Sequence, residues 1–387
     1  MTDMKVLGLI SGTSHDGVDA CLVDFAAEGS TLRGRVVDQI VVPYPGDLRR
    51  RLVAALPPGK LAMAEVCALD TLLGQHFAHV AAEVTARHTV DLVCSHGQTV
   101  FHWVEGSHAL GTLQLGQPAW ITERTGIPTI SDVRAADLAA GGQGAPLVPV
   151  LDTLLLGGRD RTVAALNLGG IANMTVLEPG REPYAYDLGP ANALIDAAVL
   201  GLTGGREGFD RDGAYAVRGR VDDGLLAALL ADPYYALPHP KSTGKEHFHD
   251  GYLAGHLAAR PLVTGLDVVT TLTELTARVV GTALHRAGAG EVVASGGGVA
   301  NPELMRRIGL ASDGVRLSRS DELGAPSDVK EAIAFALIGY LSAHGLPGNV
   351  PSCTGASGPR VLGRMSAGAA GLVLDARAGP PDRLVLT

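Results

Sequence analysis

The chain has 387 residues, 46% hydrophobic and 18% charged, enough to bury two or three cores and without the signature of disorder. Its formal net charge of −9 and its 4% aromatic content argue against nucleic acid or an anionic membrane surface as a partner. They leave room for an anionic ligand held by backbone amides and a metal. The opening MTDMKVLGLI lacks a basic segment, a long apolar stretch and a cleavage site, and no run reaches the roughly 18 apolar residues of a membrane helix. Cys21, Cys67, Cys94 and Cys353 form no CxxC pair and fit buried, reduced thiols. The expectation is a soluble, cytoplasmic protein.

In chain order, residues 4–10, 18–25 and 33–42 predict a three-stranded meander, the third strand rich in β-branched residues. A long helix or helix pair follows over 60–88. DLVCS (91–95) reads as a short buried strand ending at His96. The Gly-rich DLAAGGQGAPLVP (137–149) reads as a packed loop running into a helix over 148–156. RTVAALNLGGIANMTVL (161–177) repeats the opening grammar of strand, glycine turn and strand. A helix is expected over 265–287, with Leu266, Val269, Leu272, Leu275, Val279 and Ala283 on one face. EVVASGGGVANPELMRRI (291–308) reads as strand, triple glycine and helix, with Asn301 as cap and Pro302 at its first position. A last long helix spans about 328–344. Alternating strands and helices of this kind predict an α/β protein.

Three glycine features stand out: Gly12-Thr13-Ser14, Gly169-Gly170, and Gly296-Gly297-Gly298 ahead of the Asn301 helix. Each alone is an ordinary turn. Together they offer free N–H groups to phosphate. No GxxxxGK[ST], no GxGxxG opening a βαβ unit and no GxSxG elbow occurs. What remains is the duplicated-domain architecture shared by actin and sugar kinases, in which two hairpin turns grip the phosphates and a glycine-led helix holds the adenosine.

At this point the residues resemble one family. GLISGTSHDGVDA (8–20), SHGQT (95–99), SDVRAADLAAGGQGAPLVP (131–149), LNLGGIANMT (166–175) and YDLGPANALID (186–196) carry the likeness. So do KSTGKEHF (241–248), SGGGVANPELM (295–305), KEAIAFA (330–336) and GNVPSCTGA (348–356). In this order they are similar to the motif series of the anhydro-N-acetylmuramic acid kinase family. Leu188, Ala191 and His15 depart mildly from that pattern, and the tail beyond about Gly363 goes past it.

The resemblance implies a two-domain actin-like/sugar-kinase (ribonuclease H-like) α/β architecture with an interdomain cleft. The first domain would take residues 1–132 plus about 348–387, the second 133–347. Asp187, at the end of the strand AYDLG, becomes the catalytic base; read alone it is a turn aspartate leading a helix. ATP would be bound by Gly12, Thr13, Ser14, His15, Asp16, Gly17, Val18, Asp19, Gly169, Gly170, Asn173, Gly296, Gly297 and Gly298. Asp16 would sit near Mg²⁺, which favours carboxylate and water oxygens, or serve only as a turn former. Arg134 would grip a lactyl carboxylate through two parallel hydrogen bonds. Glu331, otherwise a first-turn helix acid, and His96 would line the sugar.

Lys241 and Lys245 fall in KSTGK, which reads equally as a substrate loop or a solvated one. His96, His102, His108 and HFHD (247–250) lack the convergence a metal site needs. The implied reaction is ATP-dependent opening and O6 phosphorylation of 1,6-anhydro-N-acetylmuramic acid in peptidoglycan recycling, by a cytoplasmic homodimer. The alternatives are a sugar kinase acting on an ordinary hydroxyl and a non-catalytic actin-like ATPase switch.

Overall fold

The computed structural model describes residues 3–12, 14–106, 108–244, 247–369 and 379–387. The chain divides into two compact units. The first comprises residues 1–157, 323–325 and 329–387, the second 158–322 and 326–328.

In the first unit, β1 (Met4–Ser11), β2 (Gly17–Glu28) and β3 (Thr31–Pro43) form the expected antiparallel meander. β4 (Leu92–Glu105) lies parallel to β1 on its other side, and β6 (Thr129–Ser131) lies parallel to β4. β5 (His108–Leu115) folds back on the distal half of β4. Short strands Arg364–Ser366 and Arg383–Leu386 close the two edges. The meander therefore extends as β3-β2-β1-β4-β6.

The second unit repeats this. β7 (Val163–Leu168), β8 (Ile171–Leu177) and β9 (Tyr184–Pro190) make an antiparallel meander. β10 (Glu291–Ser295) and β11 (Arg316–Arg319) add in parallel beside β7, giving β9-β8-β7-β10-β11.

The period-2 alternation of β1 sorts its side chains between two cores. Val6 and Ile10 join Cys21, Phe25 and the helix Lys330–Ala343 on one face. Leu7 and Leu9 join Leu22, Phe77 and the helices Gly46–Ala55 and Met63–Thr85 on the other. The second unit buries Leu166, Leu168, Met174 and Val292 against the helices Gly265–Arg286 and Asn192–Leu202. As expected, Asn301 caps its helix, accepting from Leu304 N at 3.0 Å, with Pro302 following.

Three expectations are corrected. β4 does not stop at His96 but continues to Glu105, because residues 98–105 find a partner in β5. The unit boundary lies near residue 157, not 132, and the helix Lys330–Ala343 returns to the first unit. Val150, Leu151 and Leu337 share the core of Val6 and Cys94, and that packing sets the division. Cys67 is exposed on the helix Met63–Thr85, whereas Cys21, Cys94 and Cys353 are buried. Among the described residues no helix is long and apolar enough to cross a membrane.

Gly8 sits where β1 meets the helix Lys330–Ala343. A Cβ there would overlap the Ala332 carbonyl oxygen and lie 2.6 Å from Ala336 N. Backbone atoms cannot yield as side-chain ends do, so Gly8→Ala is expected to cost about 3 kcal/mol of stability. Urea unfolding checks this; a loss under about 1 kcal/mol would mean the helix can slide off the strand.

Candidate functional site

In the first unit, the turn from β1 to β2 is held from beneath. Ser11 Oγ lies 2.6 Å from both Gly17 O and Gln98 Oε1, and Gln98 Nε2 donates to Thr99 O at 3.1 Å and Gly12 O at 3.4 Å. A Cβ on Gly17 would sit 2.5 Å from Val42 O, so only glycine fits. At the tip, Ser14 Oγ donates to Asp16 Oδ1 at 2.6 Å, and Asp16 is exposed. His15 adopts φ 54°, its carbonyl accepting from Arg49 Nε at 3.1 Å. Thr13 lies outside the described residues. Val18 is buried in the core, so only its backbone is available to a ligand, and Asp19 pairs with Ile10 and Val41 in the sheet.

The second cluster of this unit gathers around Arg134. Its Nε donates to His96 Nε2 at 2.8 Å and its Nη1 to Gly144 O at 2.7 Å. His96 is buried, its Nδ1 2.9 Å from Gly97 O and its ring 4.7 Å from that of Phe335. With Nε2 accepting, Nδ1 carries the proton and the imidazole is neutral. Burial and the guanidinium hold His96 well below its ordinary range. Burial also lowers Arg134 to about 10, against the pull of the Glu331 and Asp137 carboxylates, so it stays charged at neutral pH. Glu331 is raised by burial and drawn back by Arg134 and Lys330. The three predicted sugar residues thus meet in one unit. His96 also borders a cavity of about 660 Å³, shared with Ser95, Gly97, Asp70, Asp132 and Arg364. Asp132, at φ 53°, accepts from Arg364 Nε at 2.6 Å.

The second unit brings its own residues together through strand register. Ser295 lies opposite Asn167, Asn167 opposite Asn173, and Asn173 opposite Asp187. Facing residues of a ladder point to the same side, so Asn173 and Asp187 are neighbours. Gly169 and Gly170 form the β7–β8 turn. The triple glycine abuts it: a Cβ on Gly298 would lie 2.7 Å from Leu168 Cβ, and one on Gly296 would overlap Asn167 Oδ1. Gly297 opens the short 3₁₀ turn that precedes Asn301.

The Asp187 carboxylate accepts at Oδ2 from Ser242 Oγ (2.9 Å) and from Thr243 N (3.0 Å). Its backbone N–H donates to Lys241 O at 3.1 Å and its carbonyl accepts from Tyr234 Oη at 2.7 Å. KSTGK is therefore a brace for Asp187 in its described part; Lys245 lies outside the described residues. Lys241 itself donates to Tyr234 O at 3.0 Å, and burial lowers it.

The sequence reading missed Asn192, whose Nδ2 donates to Leu168 O and Gly169 O at 3.0 and 2.9 Å, fastening the glycine turn to the next helix. It also missed Asp137 and Gln98. All three stand inside quoted motifs, but their partners lie up to 217 positions away, as Thr354 does from Asp137. Among the described residues no group of three or more His, Cys, Asp or Glu could hold a metal ion.

Two α/β units that repeat one strand order, each with a glycine turn between its first two strands, make the two-domain sugar-kinase fold of the actin-like class. The family model described as anhydro-N-acetylmuramic acid kinase matches residues 4–368. A protein of that name from Streptomyces coelicolor is 51% identical over 385 residues, covering 99% of this chain and 98% of its own. Another from Streptomyces avermitilis is 52% identical over 389 residues, covering 99% and 100%. A ROK family glucokinase from Streptomyces griseus, solved in complex with glucose and AMPPNP, is 12% identical at a TM-score of 0.37, covering 86% of this chain and 97% of its own. A likeness that loose carries no argument. The chain belongs to the anhydro-N-acetylmuramic acid kinase family. It is a kinase, a phosphotransferase with an alcohol acceptor.

The neutral His96 has a consequence for stability. Unfolded, it takes up a proton near 6.5; folded, it does so only at much lower pH. The unfolded chain then binds more protons below 6.5, and stability falls as pH falls, by up to about 1.4 kcal/mol per pH unit. Between pH 7.5 and 5.5, wild type should lose about 1 kcal/mol more than His96→Gln. Urea unfolding at both pH values tests it, and equal losses would contradict the neutral assignment.

Proposed function

We propose that the chain opens 1,6-anhydro-N-acetylmuramic acid with water and transfers the γ-phosphoryl group of ATP to the freed O6, giving N-acetylmuramic acid 6-phosphate in peptidoglycan recycling. Family membership supports the substrate, and the relatives are named for the same sugar. The observation that carries the mechanism is the Asp187 carboxylate, braced at one oxygen by Ser242 and Thr243 and ranked beside Asn173 next to the glycine turn.

Water is a weak nucleophile, so a fixed carboxylate taking its proton supplies typically about 10²–10⁴ in rate. The new bond forms between water oxygen and C1 while the C1–O6 bond breaks. O6 leaves with its electron pair and takes the phosphoryl group; ADP departs from the other side of phosphorus. Phosphate oxygens suit the backbone N–H groups at Gly12–Ser14 and Gly169–Gly170, with Gly296–Gly298 toward the nucleoside.

The donor set at the first turn fits Mg²⁺: the exposed Asp16 carboxylate and Ser14 hydroxyl are hard oxygens, and this ion is held by one or two carboxylates plus substrate phosphates. When bound it neutralises phosphate charge. Arg134, with Nε committed to His96, keeps N–H groups for the lactyl carboxylate, and His96 and Glu331 flank it. We place the work in the cytoplasm, by a homodimer.

ATP consumption should require the anhydro sugar, and the product mass should rise by one phosphate and one water. A gain of phosphate alone would mean an ordinary hydroxyl acceptor, and ATP hydrolysis indifferent to sugar would mean a switch. Asp187→Asn is expected to lower kcat by at least about 10² with the ATP dissociation constant unchanged; near-normal turnover would remove Asp187 from its role. Arg134→Ala is expected to raise the sugar KM about 10–100-fold and leave the ATP KM alone. Equal losses for both ligands would count against a carboxylate grip.

A further inference from the structure

Asp137 lies at the first turn of the helix Ala135–Ala139, fully buried, with both carboxylate oxygens engaged. Oδ1 accepts from Asn349 Nδ2 at 2.6 Å and from Thr354 Oγ1 at 2.7 Å; Oδ2 accepts from Gly144 N at 2.8 Å. A buried carboxylate is costly unless hydrogen bonds of this kind replace its water. Its three donors come from two segments: Gly144 from the glycine-rich loop, Asn349 and Thr354 from GNVPSCTGA.

The loop is gripped elsewhere as well. Gln143 N donates to Thr354 O at 2.8 Å, and Gln143 Oε1 accepts from Ala109 N at 2.9 Å. Gly142 N donates to Asp137 O at 2.9 Å, and a Cβ on Gly142 would overlap Asp137 Oδ2. Gly144 adopts φ 68°. Gly144, fixed at its N–H, offers its carbonyl in the next peptide unit to Arg134, where Gly144 O accepts from Nη1 at 2.7 Å. The other anchor of the guanidinium is His96.

We propose that Asp137 is a positioning residue: by holding the Gly144 backbone at its N–H it fixes the Gly144 carbonyl that orients the Arg134 guanidinium, so that the remaining N–H edge is presented to the carboxylate of the sugar. The sugar half of this statement rests on the substrate role assigned to Arg134 above. Asp137 itself touches no substrate. The arrangement holds the arginine by one backbone carbonyl and one neutral imidazole, neither of which neutralises it. The carboxylates that act on its charge, Glu331 and Asp137, make neither of these two hydrogen bonds.

The test compares wild type, Asp137→Asn, Thr354→Val, Arg134→Ala and the double variant Asp137→Asn/Arg134→Ala, each checked for folding by circular dichroism. Asp137→Asn is expected to raise the sugar KM about ten-fold and leave the ATP KM unchanged; Thr354→Val, which removes one of two donors to Oδ1, should act in the same direction and less. In the Arg134→Ala background, Asp137→Asn should change the sugar KM less than about two-fold, because the residue acts through Arg134. Additive effects, or an equal rise in the ATP KM, would make Asp137 merely structural and overturn the proposal.

A second readout does not depend on the sugar. The Arg134 Nε–H resonance, assigned by its loss in Arg134→Ala, should exchange with solvent faster in Asp137→Asn and in Thr354→Val. Unchanged exchange in both overturns the positioning role. If Arg134→Ala leaves the sugar KM untouched, the substrate role of Arg134 falls, and the exchange rates still decide whether Asp137 holds it.

Discussion

Strand direction decides where the chemistry of this chain collects. In each unit the first strand ends at a glycine turn; the strand parallel to it runs past that turn in the first unit and ends beside it in the second. β1 stops at Ser11, and the β4 stretch next to it is His96-Gly97-Gln98; β6 stops at Ser131, next to the αL aspartate Asp132. In the second unit β7 stops at Leu168, β10 at Ser295, and β9 runs the same way as β7 and carries Asp187 near its own end. Ligands of α/β sheets gather at carboxyl ends of strands because there the N–H groups of the next segment are unpaired. A hairpin of opposite register would have moved Asp187 one residue along and turned its side chain to the other face.

Charge is handled differently in the two units. Around Arg134 the guanidinium loses water but meets only a carbonyl and a neutral ring directly, with Glu331 and Asp137 acting at a distance. Around Asp187 the carboxylate accepts from a hydroxyl and an amide N–H, and the Lys241 ammonium acts on it as well. Neutral donors and acceptors hold a charged side chain in place without themselves cancelling its charge. A salt bridge would have held it equally still and cancelled it, as Arg307 and Glu303 do at 2.7 Å on the helix Pro302–Ala311.

Much of this was legible in the residues. The glycine turns, the Asn301 cap and the meanders follow from local rules, where side chains a few positions apart decide the outcome. What was not legible depends on contacts far along the chain. Ser242 reaches Asp187 across 55 positions, so KSTGK gave no local sign that it braces a carboxylate. The hairpin of β4 and β5 was hidden because Phe101, Trp103, Val104 and Leu110 are exposed apolar residues, which blurs the alternation that marks a strand. The unit to which the loop 137–149 belongs was not legible because Asp137 is bound there by Asn349 and Thr354, 212 and 217 positions away. Cys67 shows the same limit: a helix position does not say which face it takes.

The second glycine turn illustrates how backbone accounting can fix a loop from the start of the next helix. Gly169 O accepts from Asn192 N and Asn192 Nδ2; Gly170 O accepts from Ala191 N and Ala193 N; Leu168 O accepts from Asn192 Nδ2. The carbonyls of the turn are thus all drawn toward the start of the helix Asn192–Leu202. That helix spends its first N–H groups on them, so its own N-terminus has little left for a ligand. The carbonyl oxygens of the turn are thereby engaged, and Gly298 packs beside Leu168 and Asn192 where no side chain would fit. Asn192 is then what fixes the orientation of the turn's carbonyls. A residue with no amide donor at position 192 would take this partner from Leu168 O and leave Gly169 O with the backbone N–H of residue 192 alone, so the turn would be held less firmly.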